Sequence, residues 1–243
     1  MTTNLFLFGG GPPFTNKLAE RFRKIAKKHT GKVVVLYIEK NLQKDKTYTK
    51  KYINTLRKKG YNDFCLLPLG TTKVAEVVAE VENSAGIIIG AGNTLVYAKH
   101  IVDTAIGKAI KDAYERGVPV AGFSAGALIS PNECVISPRD NKERLFKQRK
   151  GLGLLNNTVL VAHYQQWEES KHLRETATAF PTFQNYGINE HTGIYFRDGT
   201  FFEMEGDGVF TIIDQQLHAV INKEPVSKLK LWQKIRNFFL KVR

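Results

Sequence analysis

The chain of 243 residues has little cysteine and no long apolar run. Its two cysteines, Cys65 and Cys134, do not form the spacing of a metal site or of a redox motif. No apolar stretch approaches the roughly 20 residues that a membrane-spanning helix needs, and the first residues lack the basic region of a secretory signal. We therefore expect a cytoplasmic protein with free thiols.

Acidic residues are also few: 23 Asp and Glu stand against 36 Lys and Arg, which gives a net charge of +13. Part of this excess lies in residues 224–243, and the remainder is spread over predicted helix surfaces such as residues 17–28. Such runs are typical of solvated faces. No finger, recognition helix or aromatic-interleaved basic patch accompanies the charge, so we expect no nucleic-acid partner.

Short apolar runs alternate with amphipathic helical patterns along most of the chain. The runs lie at residues 4–8, 32–38, 64–67, 86–89 and 118–121. This succession predicts an α/β fold, a three-layer sandwich with a mainly parallel sheet. Beyond residue 190 the apolar period becomes two, which predicts a β-meander that closes a single domain over residues 1–223.

Glycine-rich segments follow three of the predicted strands, at residues 9–11, 90–94 and 122–126. Ligands bind at the carboxyl ends of the strands in such sheets, so we expect these loops to converge on one site. The third segment, Gly122-Phe123-Ser124-Ala125-Gly126, has the pattern G-x-S-x-G of a nucleophile elbow. It predicts Ser124 as the nucleophile and the Ala125 N–H as an oxyanion donor. An ordinary loop with an incidental serine is the alternative.

A serine nucleophile needs a base, and His163 is the first choice among six histidines. It follows the apolar strand at residues 158–162, which delivers it to the same edge of the sheet as the elbow. His172 and His191 are the competing candidates.

A carboxylate must orient the imidazole of the base. Asp140 is our first choice, because it lies in a turn-rich segment between the serine and the histidine, with Glu143 and Glu133 behind it. Glu190, in Gly187-Ile188-Asn189-Glu190, is a further candidate and a residue that we expect to line the site.

The glycine loop at residues 90–94 is the natural source of a second oxyanion donor. We expect the Gly92 N–H to fill that role and Asn93 to contact the substrate. A phosphate-binding loop is the alternative, although the segment lacks the lysine of a P-loop and the full dinucleotide pattern. The predicted chemistry needs no metal and no cofactor.

Four segments occur in order along the chain: the glycine loop at residues 90–94, the elbow at residues 122–126, Gly151-Leu152-Gly153-Leu154-Leu155 before the histidine strand, and Gly187-Ile188-Asn189-Glu190. In combination they resemble the S51 serine peptidases, the group of peptidase E (an aspartyl dipeptidase) and cyanophycinase. The resemblance covers about residues 4–220. It implies a class I glutamine-amidotransferase-like fold with serine in place of cysteine, and it places the family's catalytic positions on Ser124, His163 and Asp140.

Two departures from the family pattern bear on specificity. The family loop Gly-Gly-Asn-Thr reads Ala91-Gly92-Asn93-Thr94 here. The segment after the histidine, which is arginine-rich in peptidase E and helps to set its acidic preference, has no counterpart arginine over residues 164–171. The resemblance therefore implies the hydrolytic chemistry, while a preference for an acidic first residue is left open.

We accordingly expect a serine peptidase that cleaves small peptides as a dipeptidase does. An esterase of the α/β-hydrolase type, and a non-catalytic member that binds a ligand or a membrane, are the alternatives. Residues 224–243 form a separate basic amphipathic tail in this interpretation. We expect this tail to dock on the body of the chain or on the sister subunit of a homodimer. The alternative is that residues 228–243 contact a membrane surface.

Overall fold

The protein is described by a computed structural model that covers residues 1–39 and 42–221. Its strands are β1 (Asn4–Phe8), β2 (Val33–Ile38), β3 (Phe64–Leu69), β4 (Gly86–Ile89), β5 (Val120–Phe123), β6 (Glu133–Ile136), β7 (Lys147–Lys150), β8 (Thr158–Val161), β9 (Gln184–Ile188), β10 (Gly193–Arg197), β11 (Thr200–Glu205), β12 (Val209–Ile213) and β13 (Gln216–Ala219). Its α-helices are α1 (Asn16–Ala26), α2 (Leu42–Lys58), α3 (Val74–Glu82), α4 (Thr94–His100), α5 (Ala105–Glu115), α6 (Ala125–Leu128) and α7 (Ser170–Ala179).

The largest sheet has seven strands in the order β11-β10-β1-β5-β4-β2-β3. Five neighbouring strands of this sheet, β1, β5, β4, β2 and β3, are parallel. Strands β10 and β11 complete it in antiparallel pairing. A second sheet has the order β13-β12-β9-β8, and β6 pairs with β7 in a separate hairpin. The predicted α/β fold with a mainly parallel sheet is confirmed.

Helices cover both faces of the large sheet and make it the middle of three layers. On β1, Phe6 and Phe8 belong to the core cluster that contains residues of α1 and α2. Leu5 and Leu7 point the other way, into the cluster that contains residues of α3 and α5. Side chains alternate between the two faces of a strand, so a strand covered on both sides must be apolar at every position. This explains the uninterrupted apolar runs in the sequence.

The strands predicted after residue 190 form, but they belong to two hairpins in different sheets. The pair β10 and β11 extends the large sheet, whereas β12 and β13 join β9 in the second sheet. The chain leaves β11 through Gly206 and Gly208, whose φ angles are 126° and 155°. Only glycine adopts such angles readily, so this turn redirects the chain away from a continuous meander.

No helix in the part of the chain that the structure describes is long and apolar enough to cross a membrane. The predicted domain boundary at residue 223 and the tail at residues 224–243 lie outside the described residues.

Candidate active site

Ser124 stands at the sharp turn between β5 and α6. Its backbone has φ 46° and ψ −104°, a region that non-glycine residues rarely occupy and that costs about 1–3 kcal/mol. The N–H of Ser124 donates a hydrogen bond to the carbonyl oxygen of Phe8, at 2.9 Å, which ties the turn to the end of β1. The strained backbone is thus held in place by the neighbouring strand.

The two glycines of the elbow are required by close packing. A Cβ on Gly122 would lie 2.7 Å from the backbone nitrogen of Ala127, and a Cβ on Gly126 would lie 2.9 Å from the carbonyl carbon of Ile89. Neither contact can be relieved by moving a side chain, because backbone atoms are involved. The structure therefore has the geometry that the G-x-S-x-G pattern predicts.

His163 follows β8 and reaches the elbow from the second sheet. Its N–H donates to the carbonyl oxygen of Gly9, at 2.9 Å, and its backbone φ is 52°. The imidazole Nε2 lies 2.8 Å from the hydroxyl oxygen of Ser124. This distance is that of a hydrogen bond, which a serine nucleophile and its base would need.

Glu190 lies on the other side of the same imidazole. Its carboxylate oxygen Oε1 is 2.7 Å from Nδ1 of His163. The pairing of the strands explains this contact: β8 and β9 are parallel neighbours with Val161 opposite Gly187, so His163 and Glu190 leave adjacent strand ends. The Glu190 side chain is 36% exposed, whereas that of His163 is 12% exposed.

This arrangement corrects the prediction that Asp140 orients the imidazole. Both ring nitrogens of His163 have partners, and the carboxylate at Nδ1 is that of Glu190. Asp140 ends a one-turn 3-10 helix (Pro138–Asp140) that follows β6, a strand of the separate hairpin. There it lines a small cavity beside Ser124.

The two other carboxylates considered in the sequence have partners elsewhere. Glu143 forms an ion pair with Lys147 at 2.9 Å, and Glu133 pairs with Lys150. Neither is among the residues that line the cavity beside Ser124.

The glycine loop after β4 is anchored on both sides of the Gly90–Ala91 peptide. The carbonyl oxygen of Gly90 accepts from the N–H of Gly126 in the elbow, at 3.2 Å. The N–H of Ala91 donates to the hydroxyl oxygen of Tyr52, at 2.6 Å. The loop is therefore fixed against the elbow, as expected for glycine segments that meet at one edge of the sheet.

Tyr97 sets the orientation of the next peptide in this loop. Its hydroxyl donates to the carbonyl oxygen of Ala91 at 3.3 Å and accepts from the N–H of Ile38 at 3.2 Å. In a trans peptide the C=O and the N–H point in opposite directions, so the Gly92 N–H is directed away from the Tyr97 hydroxyl. Burial raises the pKa of Tyr97 and of Tyr52, which keeps both phenols protonated. The sequence analysis did not identify either tyrosine.

Asn93 caps the helix that follows the loop. Its side-chain oxygen accepts from the N–H of Val96 at 3.0 Å, and its amide nitrogen donates to the carbonyl oxygen of Asp140 at 3.4 Å. Asn93 thus joins the glycine loop to the turn that carries Asp140.

The wall of the cavity beside Ser124 also contains His172, a rival of His163 in the sequence analysis. His172 is only 4% exposed, and burial lowers its pKa to about 4, so it is neutral near pH 7. Within the described residues, His172 forms no hydrogen bond with Ser124, whose hydroxyl pairs with His163 instead. The third candidate, His191, is exposed.

A buried carboxylate lies behind Ser137, one of the residues that line this cavity. Glu169 is buried and accepts a hydrogen bond of 2.5 Å from the Ser137 hydroxyl, and burial raises its pKa. The described residues that line the cavity include Asp140 and neither lysine nor arginine. Within the described residues, no group of three or more His, Cys, Asp or Glu side chains is placed to hold a metal ion.

Comparison with known proteins gives one family and several relatives. The sequence profile described as peptidase family S51 matches residues 5–204. The cyanophycinase of Geminocystis herdmanii (strain PCC 6308) is 24% identical over 151 residues, which are 60% of this chain and 56% of that protein. The cyanophycinase of Nostoc sp. (strain PCC 7120) is 26% identical over 145 residues, 58% of this chain and 48% of that protein. The chain thus spans about half the length of these relatives.

A solved structure has the same fold. The crystal structure of a peptidase from an acI-B1 actinobacterium superimposes with a TM-score of 0.73 and 18% sequence identity. The match covers 93% of this chain and 96% of the other.

Proposed function

The chain belongs to peptidase family S51, and we propose that it is a serine peptidase that hydrolyses small peptides. The observation that carries the proposal is the continuous set of contacts from Ser124 through His163 to Glu190, at 2.8 Å and 2.7 Å. A hydroxyl, an imidazole and a carboxylate in this order form the arrangement by which serine hydrolases activate a nucleophile. The family assignment favours this activity over that of an α/β-hydrolase esterase.

In the proposed first step, the Ser124 oxygen attacks the carbonyl carbon of the peptide bond and its proton passes to Nε2 of His163. The Glu190 carboxylate accepts a hydrogen bond from Nδ1 and stabilises the imidazolium that forms. The negative charge moves to the former carbonyl oxygen, where the N–H groups of Ala125 and Gly92 stabilise it. Glu190 thereby takes the role that the sequence analysis gave to Asp140.

In the second step, the C–N bond breaks and His163 returns the proton to the leaving amine. The acyl group is left on Ser124 as an ester. A water molecule then attacks this ester, with His163 accepting a proton from the water and giving it back to the Ser124 oxygen. The cycle ends with free enzyme and two shorter products.

The experiment that tests this function measures the hydrolysis of a peptide panel by the wild-type protein and by Ser124→Ala. The panel contains Asp-X, β-Asp-X and neutral dipeptides, and cyanophycin because the relatives above are named for it. We expect cleavage of at least one member, lost in Ser124→Ala and retained in Ser130→Ala, a buried serine whose hydroxyl is bonded to the Gly126 carbonyl. Equal cleavage by the wild type and Ser124→Ala would contradict the proposal.

A further inference from the structure

Trp167 covers one face of the imidazole of His163. The two rings have centroids 4.2 Å apart and planes inclined by only 12°, so they are stacked. The edges of the imidazole are already engaged, with Nε2 at Ser124 and Nδ1 at Glu190. The indole therefore adds a contact that hydrogen bonding does not provide.

The backbone places Trp167 where it can make this contact. The N–H of Trp167 donates to the carbonyl oxygen of His163 at 2.8 Å, which closes a tight turn over residues 163–167. The turn begins with the left-handed backbone of His163 and is fastened by the N–H of Tyr164 to the carbonyl of Ile188, at 3.1 Å. The position of the indole is thus set by the same strand ends that set the catalytic groups.

Such a stack has a different effect on the two protonation states of His163. The face of an indole carries negative potential and attracts a cation, whereas a neutral imidazole gains little from it. His163 becomes a cation only while it holds the proton of Ser124. The indole also keeps water from that face of the ring, which strengthens the local electrostatic interactions.

Other charged and titratable groups surround His163. Glu190 lies at Nδ1, and Asp140 and His172 share the cavity wall with it. On the turn itself, Glu168 pairs with Arg139 at 3.4 Å. Glu190 meets an edge of the imidazole and Glu168 pairs with Arg139, whereas Trp167 covers a face of the ring.

We propose that Trp167 is a positioning residue, which holds the His163 ring in its working orientation and stabilises its protonated form during catalysis. This inference rests on the proposed function for its kinetic part, while the effect on the protonation of His163 is independent of any substrate. The peptidase activity and the stacking can therefore fail separately.

The test compares Trp167→Leu and Trp167→Phe with the wild type. The titration of His163 is followed by NMR of ¹⁵N-labelled histidine, assigned with His163→Gln. We expect the His163 pKa to be lower in Trp167→Leu by about 0.4–1.5 units and to be closer to the wild-type value in Trp167→Phe. Phe202→Leu, which removes an exposed aromatic ring from β11 of the large sheet, serves as the control.

The kinetic arm uses the best peptide of the panel described above. We expect Trp167→Leu to lower kcat about 2- to 30-fold with KM changed less than threefold, and to move the acidic limb of the pH profile to lower pH. Trp167→Phe, which retains an aromatic face, should recover most of the rate. An unchanged His163 pKa in folded Trp167→Leu, or a change in KM alone, would overturn the inference. Loss of activity in Ser124→Ala with normal kinetics in Trp167→Leu would refute the stacking role alone.

Discussion

Replacing Glu190 with glutamine should reduce turnover far more than replacing Asp140 with asparagine. Glutamine keeps the size of the side chain but removes the negative charge that faces Nδ1 of His163. It can also present its amide N–H₂ to the ring, which would favour the wrong tautomer of the imidazole. Asp140 lines the cavity but is not the partner of Nδ1, so Asp140→Asn leaves the contacts from Ser124 through His163 to Glu190 intact.

The geometry sets the size of the effect. With Oε1 and Nδ1 2.7 Å apart, the charge centres of the carboxylate and the imidazolium are about 4 Å apart, and their attraction is about 4 kcal/mol at an effective dielectric constant near 20. This corresponds to about a 10³-fold effect on rate. Because the Glu190 side chain is 36% exposed, water screens part of the attraction, and we expect a loss of about 10²- to 10³-fold in kcat.

The assay is the steady-state hydrolysis of the best panel peptide by Glu190→Gln and Asp140→Asn, with the folding of both variants checked by circular dichroism. We expect Asp140→Asn to change kcat about tenfold or less, because the contact between Glu190 and His163 stays in place. A larger loss of kcat in Asp140→Asn than in Glu190→Gln would refute the assignment of the carboxylate.

Three further outcomes follow from the described contacts. Tyr97→Phe removes the hydroxyl that holds the Ala91 carbonyl, so kcat should fall about tenfold with KM nearly unchanged, as expected for a loosened oxyanion donor. Ser124→Gly should be inactive yet melt about 2–4 °C higher, because glycine relieves the strained backbone at φ 46°. In His172→Phe, the free energy of unfolding should fall less between pH 6.5 and pH 4 than it does in the wild type. The folded pKa of His172, about 4, lies below the ordinary 6.5, so in this range a proton binds the unfolded chain and not the folded one. This binding costs the wild type about 3 kcal/mol of stability.

Each of these outcomes has a control and a contrary result. Tyr186→Phe removes a buried hydroxyl bonded to Gln184, and an equal loss of kcat there would show that Tyr97 acts only through stability. Ser124→Ala keeps a Cβ and should not gain melting temperature as the glycine variant does, so equal gains would refute the role of strain. His218→Phe alters an exposed histidine, and a pH dependence flattened as much as in His172→Phe would contradict the role of burial.

The positions of Ser124 and His163 could be predicted because each depends on local features. The glycines around Ser124 are dictated by close contacts within the elbow and with Ile89 of β4, and His163 follows a short apolar strand whose end lies at the expected edge of the sheet. The repeated alternation of strands and helices was equally informative, since buried parallel strands are apolar at every position.

The contact of Glu190 with His163 depends on long-range strand pairing that the sequence does not display. Asp140 lies between the serine and the histidine in sequence, but the strand that precedes it, β6, belongs to a separate hairpin. Glu190 is brought to the imidazole by the pairing of β8 with β9. The end of β9 was itself a signal, because Glu190 follows the end of a largely buried strand just as His163 does. The same limit applies to Tyr52, Tyr97 and Trp167, which act through contacts between distant elements or through ring geometry.

The most direct test of the central claim is to find where a fluorophosphonate probe, which reacts with activated serine hydroxyls, attaches to the protein. The labelled protein is digested and the modified peptide is identified by mass spectrometry, with Ser124→Ala and Ser130→Ala treated in parallel. We expect a single adduct on Ser124 that is absent from Ser124→Ala and unaffected in Ser130→Ala. Peptide hydrolysis that continues in wild-type protein without an adduct on Ser124, or with the adduct on another residue, would contradict the account.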